Sequence, residues 1–291
     1  MIGSARLGID VGGTSIEAVA LAADGSVRAH ARLPTERGED GIVRSVLAAV
    51  SALEVPATTI GIGIPGRIDA GRVHDAVNLD VRELDLVGEI SRRAGAPVVV
   101  DNDVRAAALG AASRAGATSL AYLNLGTGVA AGIVVDGRVI DGSSGVAGEI
   151  GHLSIDPRGP RCACGQLGCI EAFAGGGSIA RRAREPVEKV AERADAGDET
   201  AGAILADLAR GAAAGVRALA LAVDPEIIMI GGGIARRGER LRDEIAGALA
   251  RTADGSVFLT SLRLEERIEI VSPDDAVGAV GAALMGDRLA S

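Results

Sequence analysis

The sequence predicts an α/β protein built from two compact domains, and three observations carry that prediction. Apolar strand patterns alternate with helical ones along the chain. At 291 residues and 48% hydrophobic composition, the chain exceeds the usual single-domain size and has apolar material for two cores. One local pattern occurs twice. Residues 6–33 read as strand, Gly-rich turn, strand, Asp24-Gly25 turn, strand, and residues 119–142 repeat that order around a GTG turn and an Asp136-Gly137 hairpin. The repeat reads as a degenerate internal duplication, one copy per domain.

Between the copies, periodicity predicts a helix over 40–53, a buried strand over 59–64 and a helix near 83–94. The stretch PVVVDNDVRAAALGAASRAG then reads as an apolar strand, a polar turn and an Ala-rich helix. Helices are predicted over 178–195, 199–223 and 238–251, with a buried strand at 226–233. A last helix, 274–291, is expected to fold back onto the first domain. The expected domains are residues 1–115 with that helix, and 116–273 with an inserted loop at 151–173.

Composition narrows the function. With 30 basic and 39 acidic residues the net charge is −9, which gives no overall cationic surface for a phosphate backbone and argues against nucleic acid as main partner. One Tyr, two Phe and no Trp make the core aliphatic and leave little aromatic surface for stacking, so sugar recognition would rest on hydrogen bonds. The amino terminus passes straight into a strand pattern without a secretory signal, and a cytoplasmic protein is expected. The most apolar helical tract, 211–223, is interrupted by Arg217 and shorter than the roughly 20 residues a bilayer needs, so it reads as a buried helix rather than a membrane span.

Several stretches can carry chemistry. Gly12-Gly13-Thr14 and Gly126-Thr127-Gly128 present backbone N–H groups with little steric cover. Each alone is explained by a tight hairpin, but two copies in matching contexts favour an anionic phosphate held between the domains. Gly231-Gly232-Gly233 is a third Gly-rich strand end, open to a nucleotide's base and sugar or to a plain strand-to-helix turn. Asp101, Asn102 and Asp103 stand between strand and helix, where Asp103 serves equally well as an N-cap or as a carboxylate that accepts a substrate proton.

His152, Cys162, Cys164 and Cys169 match a closed Cys₃His zinc site with no open coordination position, so the metal is expected to be structural. A redox role is less attractive because Cys162-Ala-Cys164 is not a Cys-x-x-Cys. Glu149 and Glu171 flank this loop, either as solvated carboxylates or, with His152, as the lining of a polyol pocket.

Taken together, GIDVGGTSIEA, GIGIPGRID, DNDVRAAALG, LGTGVAAGIVVDG, GEIGH with CACGQLGCIEA, and IMIGGGI resemble, in order, the motifs of the ROK family of sugar kinases and repressors, within the actin-like ATPase and hexokinase superfamily. The resemblance implies two actin-like ATPase (ribonuclease H-like) domains with a nucleotide and sugar cleft between them. It implies phosphoryl transfer from Mg-ATP to a hexose hydroxyl, most often the primary 6-hydroxyl. Asp103 would be the general base, Asn102 would orient the sugar, and Gly66 would belong to the sugar-side turn. Glu149, His152 and Glu171 would bind ring hydroxyls. Asp10 would face the magnesium shell. Gly12, Gly13, Thr14, Gly126, Thr127 and Gly128 would surround the phosphates, and Gly231, Gly232 and Gly233 would meet the adenosine. His152, Cys162, Cys164 and Cys169 would hold zinc. A homo-oligomer, dimer or tetramer, is a family-level expectation.

The chain departs from the family pattern at Arg105, where asparagine is usual, and at Ala111, Ser15 and Ala130, where glutamate, lysine and glycine are common. Arg105 would pair with Asp101 or Asp103. Glucose is the first expected acceptor, ahead of N-acetylglucosamine, N-acetylmannosamine, mannose and fructose. A non-catalytic sugar sensor is the rival reading, disfavoured because only five residues precede the first strand and Asp103 is retained. A polyphosphate-dependent kinase is disfavoured by the cysteine signature.

Overall fold

The computed structural model describes residues 4–289. The expectations for residues 1–3, 290 and 291 lie outside the described residues. The chain divides into two compact units. One takes the chain up to Thr118, Asp136–Gly145 and the chain from Ala276; the other takes Ser119–Val135 and Val146–Asp275.

The first unit begins with β1 (Ala5–Val11), β2 (Ser15–Leu21), β3 (Val27–Pro34), α1 (Glu39–Ala52) and β4 (Ala57–Ile64). A small antiparallel sheet follows, made of β5 (Arg67–Asp69), β6 (Arg72–Ala76) and β7 (Val81–Leu84). Then come α2 (Leu86–Ala94), β8 (Val98–Asn102) and α3 (Asp103–Ala115). The main sheet runs β3-β2-β1-β4-β8, with an antiparallel β1–β2–β3 meander joined to parallel β4 and β8. Its central strands are nearly continuous apolar runs, as sheets covered on both faces require. The edge strand β3 instead exposes charged side chains, which discourages pairing with another chain.

The C-terminal helix (Val277–Met285) lies on this sheet and on α3 at backbone contact distance. A Cβ on Gly61 would sit 1.7 Å from the Ala282 carbonyl oxygen, and one on Gly110 would sit 2.0 Å from that of Val277. Glycine at these positions is therefore what lets helix, strand and helix meet. The helix is shorter than the 274–291 expectation: Ala276 adopts a left-handed φ of 45°, which breaks the spiral before Val277, and Gly286–Leu289 tightens into a 3₁₀ turn.

The second unit opens with β9 (Leu120–Leu125) and β10 (Val129–Val135); β11 (Arg138–Val139) falls in the stretch grouped with the first unit. After the cysteine loop come α4 (Ile170–Ala174), α5 (Gly176–Ala183), α6 (Val187–Asp195), α7 (Glu199–Val223), β12 (Ile227–Gly231), α8 (Glu239–Ala253), α9 (Val257–Ser261) and β13 (Ile268–Ile270). The strands run β10-β9-β12-β13, antiparallel then parallel, which repeats the β2-β1-β4-β8 order of the first unit. The duplicated motif thus marks a duplicated sheet. Helix α7 buries Leu205, Leu208, Ala212, Val216 and Leu219 against it. Among the described residues no helix is long and apolar enough to cross a membrane.

Two helix predictions are corrected. The helix near 83–94 begins only at Leu86, because Asp85 accepts the Gly88 N–H at 3.0 Å and caps it, leaving Val81–Leu84 as a strand. The helix over 178–195 is two helices, since Pro186 cannot donate a backbone hydrogen bond and Arg184 turns left-handed at φ 60°.

Candidate active site

In the first unit the site residues lie at the carboxyl ends of β1, β4 and β8. After β1, the Gly12 N–H closes the hairpin onto Ser15 O at 3.0 Å, and Thr35 Oγ1 holds the Gly12 carbonyl at 2.7 Å. Thr14 is left exposed at the tip.

Gly63, near the end of β4, brings the two candidate acids together. A Cβ there would lie 3.4 Å from Asp103 Cα and 3.8 Å from Asp10 Oδ1. The backbone of Gly278 covers Asp10 from the other side, with Oδ2 only 2.2 Å from where a Cβ would stand. Desolvation, followed by the charges of Asp103 and Glu17, pushes the Asp10 carboxyl up to about 8.

The folded state therefore holds this proton more tightly than the unfolded chain does. The stabilisation is complete below about pH 4, the ordinary carboxylate range, and is lost as pH rises through about 8. The metal-free protein is expected to lose several degrees of thermal midpoint between pH 5 and pH 8.5, with Asp10→Asn flattening that decline. Identical pH slopes for the two proteins would contradict this assignment.

At the end of β8 the structure resolves the capping question. Asn102 is the N-cap of α3, its Oδ1 accepting the N–H groups of Val104 at 3.0 Å and Arg105 at 3.3 Å, while Asp103 is the first helical residue. Asp103 is thus not needed as the cap. Asn102 Nδ2 reaches the Gly66 carbonyl at 3.4 Å, and Gly66 turns at φ 112°, where a Cβ would stand 2.7 Å from His74 O. Arg105 is buried, donating Nε to Asp101 Oδ1 at 2.7 Å and Nη1 to Gly145 O at 3.2 Å. Ala111 is fully buried in α3.

The second unit gathers three glycine-rich stretches. The turn 126–128 is closed by Gly126 N–H to Gly128 O at 3.1 Å. Two N–H groups at the start of α5 dock onto it, Gly176 to Gly126 O and Gly177 to Thr127 O, each at 2.9 Å. Gly232, at φ 87°, packs where a Cβ would meet Asn124 Oδ1 at 2.5 Å, and Ile234 Cδ1 lies 3.7 Å from the Cβ direction of Gly176. Gly233 faces open space. The sequence reading missed Gly175, Gly176 and Gly177; their signal was the glycine run itself, directly after the cysteine loop.

GEIGH is seated on β10 through its glycines. A Cβ on Gly148 would lie 1.8 Å from Ala131 O, and one on Gly151 would lie 1.9 Å from Val129 O. This fixes exposed Glu149 and the 3₁₀ turn Ile150–His152 relative to the strand. Glu171 Oε2 accepts the Val129 N–H at 3.0 Å, directly after the 126–128 turn. One of its oxygens is therefore committed to the backbone.

The ligand atoms of His152, Cys162, Cys164 and Cys169 lie within 4.8 Å of one another. Cys164 and Cys169 sulfurs are 3.7 Å apart, and Cys162 Sγ is 3.9 Å from His152 Nδ1, which leaves Nε2 for a second partner. The sulfur separations exceed a disulfide bond, and the cysteines are free. Bridges pairing Ser154 with Cys169 and Arg161 with Leu167 hold the loop. Burial pushes the Cys169 thiol up to about 12, whereas hydrogen bonds from Gln166 bring exposed Cys164 down to about 6. Three sulfurs and one imidazole nitrogen converging in this way fit a tetrahedral zinc ion, whose charge would stabilise the thiolates that burial disfavours.

A sheet built twice to one order, each copy opening with a glycine turn after its first strand, is the two-domain actin-like ATPase fold. The chain belongs to the ROK family, whose model matches residues 6–288. A glucokinase from Halalkalibacterium halodurans is 34% identical over 292 residues, covering 87% of this chain and 88% of that protein. An N-acetylmannosamine kinase from Escherichia coli is 31% identical over 242 residues, covering 78% of this chain and 82% of the other. The structure of a ROK family glucokinase from Streptomyces griseus in complex with glucose and AMPPNP matches with a TM-score of 0.80 at 30% identity, covering 98% of this chain and 100% of that one.

Proposed function

We propose that this chain is an ATP-dependent hexose kinase that transfers the γ-phosphoryl group of Mg-ATP to the 6-hydroxyl of glucose. The observation that carries the reading is Asp103, placed beyond the end of β8 but released from capping by Asn102. Its carboxylate takes the proton of the attacking hydroxyl, the hydroxyl oxygen bonds to the γ-phosphorus, and the bond to ADP breaks.

Asn102 and Gly66 orient the sugar, and Glu149, His152 and Glu171 bind its ring hydroxyls. The turns at 12–14 and 126–128 supply N–H donors to the phosphates, and Gly231, Gly232 and Gly233 meet the adenosine. Asp10 would hold the magnesium shell, and that ion would neutralise phosphate charge. His152, Cys162, Cys164 and Cys169 would hold a zinc that orders the loop and takes no part in the chemistry.

N-acetylmannosamine is the second acceptor to consider, since the Escherichia coli relative bears that activity in its name. A coupled assay with Mg-ATP across a hexose panel tests the reading, with glucose expected to give the highest kcat/KM. A higher value on N-acetylmannosamine would move the assignment to that sugar, and no product on any sugar would favour a sensor.

A further inference from the structure

We propose that Arg181 is a phosphate-binding residue of the nucleotide site, a role that rests on the kinase reading and adds to it the cation that grips the polyphosphate. The start of α5 is hydrogen-bonded to the 126–128 turn, so the helix is fixed relative to that turn. One turn further along, Arg181 folds back towards it. Its Nη1 lies 3.7 Å, and Thr127 Cγ2 3.2 Å, from where a Cβ on Gly177 would stand, so guanidinium and phosphate turn share the face that this glycine leaves bare. Nη2 donates to Ser178 Oγ at 2.9 Å, and Ser178 is only 5% exposed, which holds the fork in place.

The neighbouring Arg182 is neutralised by Asp207 at 2.5 Å. Arg181 is exposed and, among the described residues, has no carboxylate at ion-pair distance. A cation kept oriented but unneutralised beside a turn of backbone donors suits a polyanion. The need is specific, because Glu171 places a carboxylate against Gly128 at the same turn. The chain also has a single lysine, Lys189, which is occupied by Glu192 on α6 at 2.7 Å. A side-chain cation for the phosphates must therefore be an arginine, whose planar fork matches two phosphate oxygens at once.

The test compares Arg181→Gln, Arg181→Lys and, as control, exposed Arg184→Gln, by steady-state kinetics and by calorimetric titration with Mg-AMPPNP. Arg181→Gln is expected to raise KM for ATP and weaken AMPPNP binding roughly tenfold, the effect of one lost charge-assisted contact, with KM for sugar and thermal midpoint unchanged. Arg181→Lys should recover part of the loss, and Arg184→Gln should match the wild type. Wild-type nucleotide affinity in Arg181→Gln, or equal weakening of sugar and nucleotide, would overturn the assignment. A wild-type chain that binds Mg-AMPPNP but phosphorylates no sugar would overturn the kinase reading alone, and the titration would still decide Arg181. No nucleotide binding by the wild type would overturn both.

Discussion

Asp103→Asn is expected to lower kcat about 10³-fold while leaving glucose affinity close to that of the wild type. The substitution keeps the size and shape of the side chain and removes its negative charge and its ability to take up a proton. The helix should tolerate it, because the cap is Asn102 and the two N–H groups it accepts remain satisfied. The change also removes one favourable charge from the first turn of α3, worth about 0.3–1 kcal/mol. That loss is offset in part because Asp103 is also a charge that disfavours ionisation of Asp10. Stability and chemistry should therefore separate: a near-normal thermal midpoint and sugar titration, with turnover almost gone. Turnover within tenfold of the wild type would remove Asp103 from the role of base.

Cys164→Ser is expected to reduce bound zinc from about one per chain to a small fraction and to raise the KM for sugar by about 10–100-fold, with KM for ATP little changed. Without the metal, Cys162 and Cys169 remain buried with no cation to favour their thiolates. The loop between Ser154 and Cys169 then depends on its backbone bridges alone. Sugar binding should suffer because His152 is both a proposed metal ligand and a proposed hydroxyl partner, and because Glu171 lies two residues after Cys169. The 126–128 turn is held by separate hydrogen bonds from α5, and the 12–14 turn by Ser15 and Thr35. Elemental analysis alongside kinetics checks this, and metal-free protein that still binds sugar tightly would contradict it.

The parts of the fold that were legible are those where local chemistry and tertiary role agree. Both copies of the duplicated motif keep strand, glycine turn and strand, and the duplication legible in them is matched by two sheets of one strand order. The cysteine cluster was legible because all three cysteines fall within eight residues and one loop closes them. Some features were illegible because one residue type serves two purposes, others because distant segments decide them. Asn102 and Asp103 are equally good caps by composition, and only the geometry assigns the cap to Asn102. Ala276 gives no sign in sequence that it will turn left-handed and shorten the last helix. The docking of Gly176 and Gly177 onto the 126–128 turn joins segments about fifty residues apart, beyond the reach of periodicity. Arg105 was read as a partner of either aspartate, and its contact with the Gly145 carbonyl depends on the return of a distant segment.

The central claim is transfer of the γ-phosphoryl group to a sugar hydroxyl, and ³¹P NMR of the wild-type protein with Mg-ATP and glucose tests it most directly. The γ-phosphate signal should fall as one phosphomonoester resonance of glucose 6-phosphate rises in equal amount, with ADP as the other product. Appearance of inorganic phosphate alone, or an unchanged ATP spectrum in the presence of glucose and the rest of the hexose panel, would contradict it.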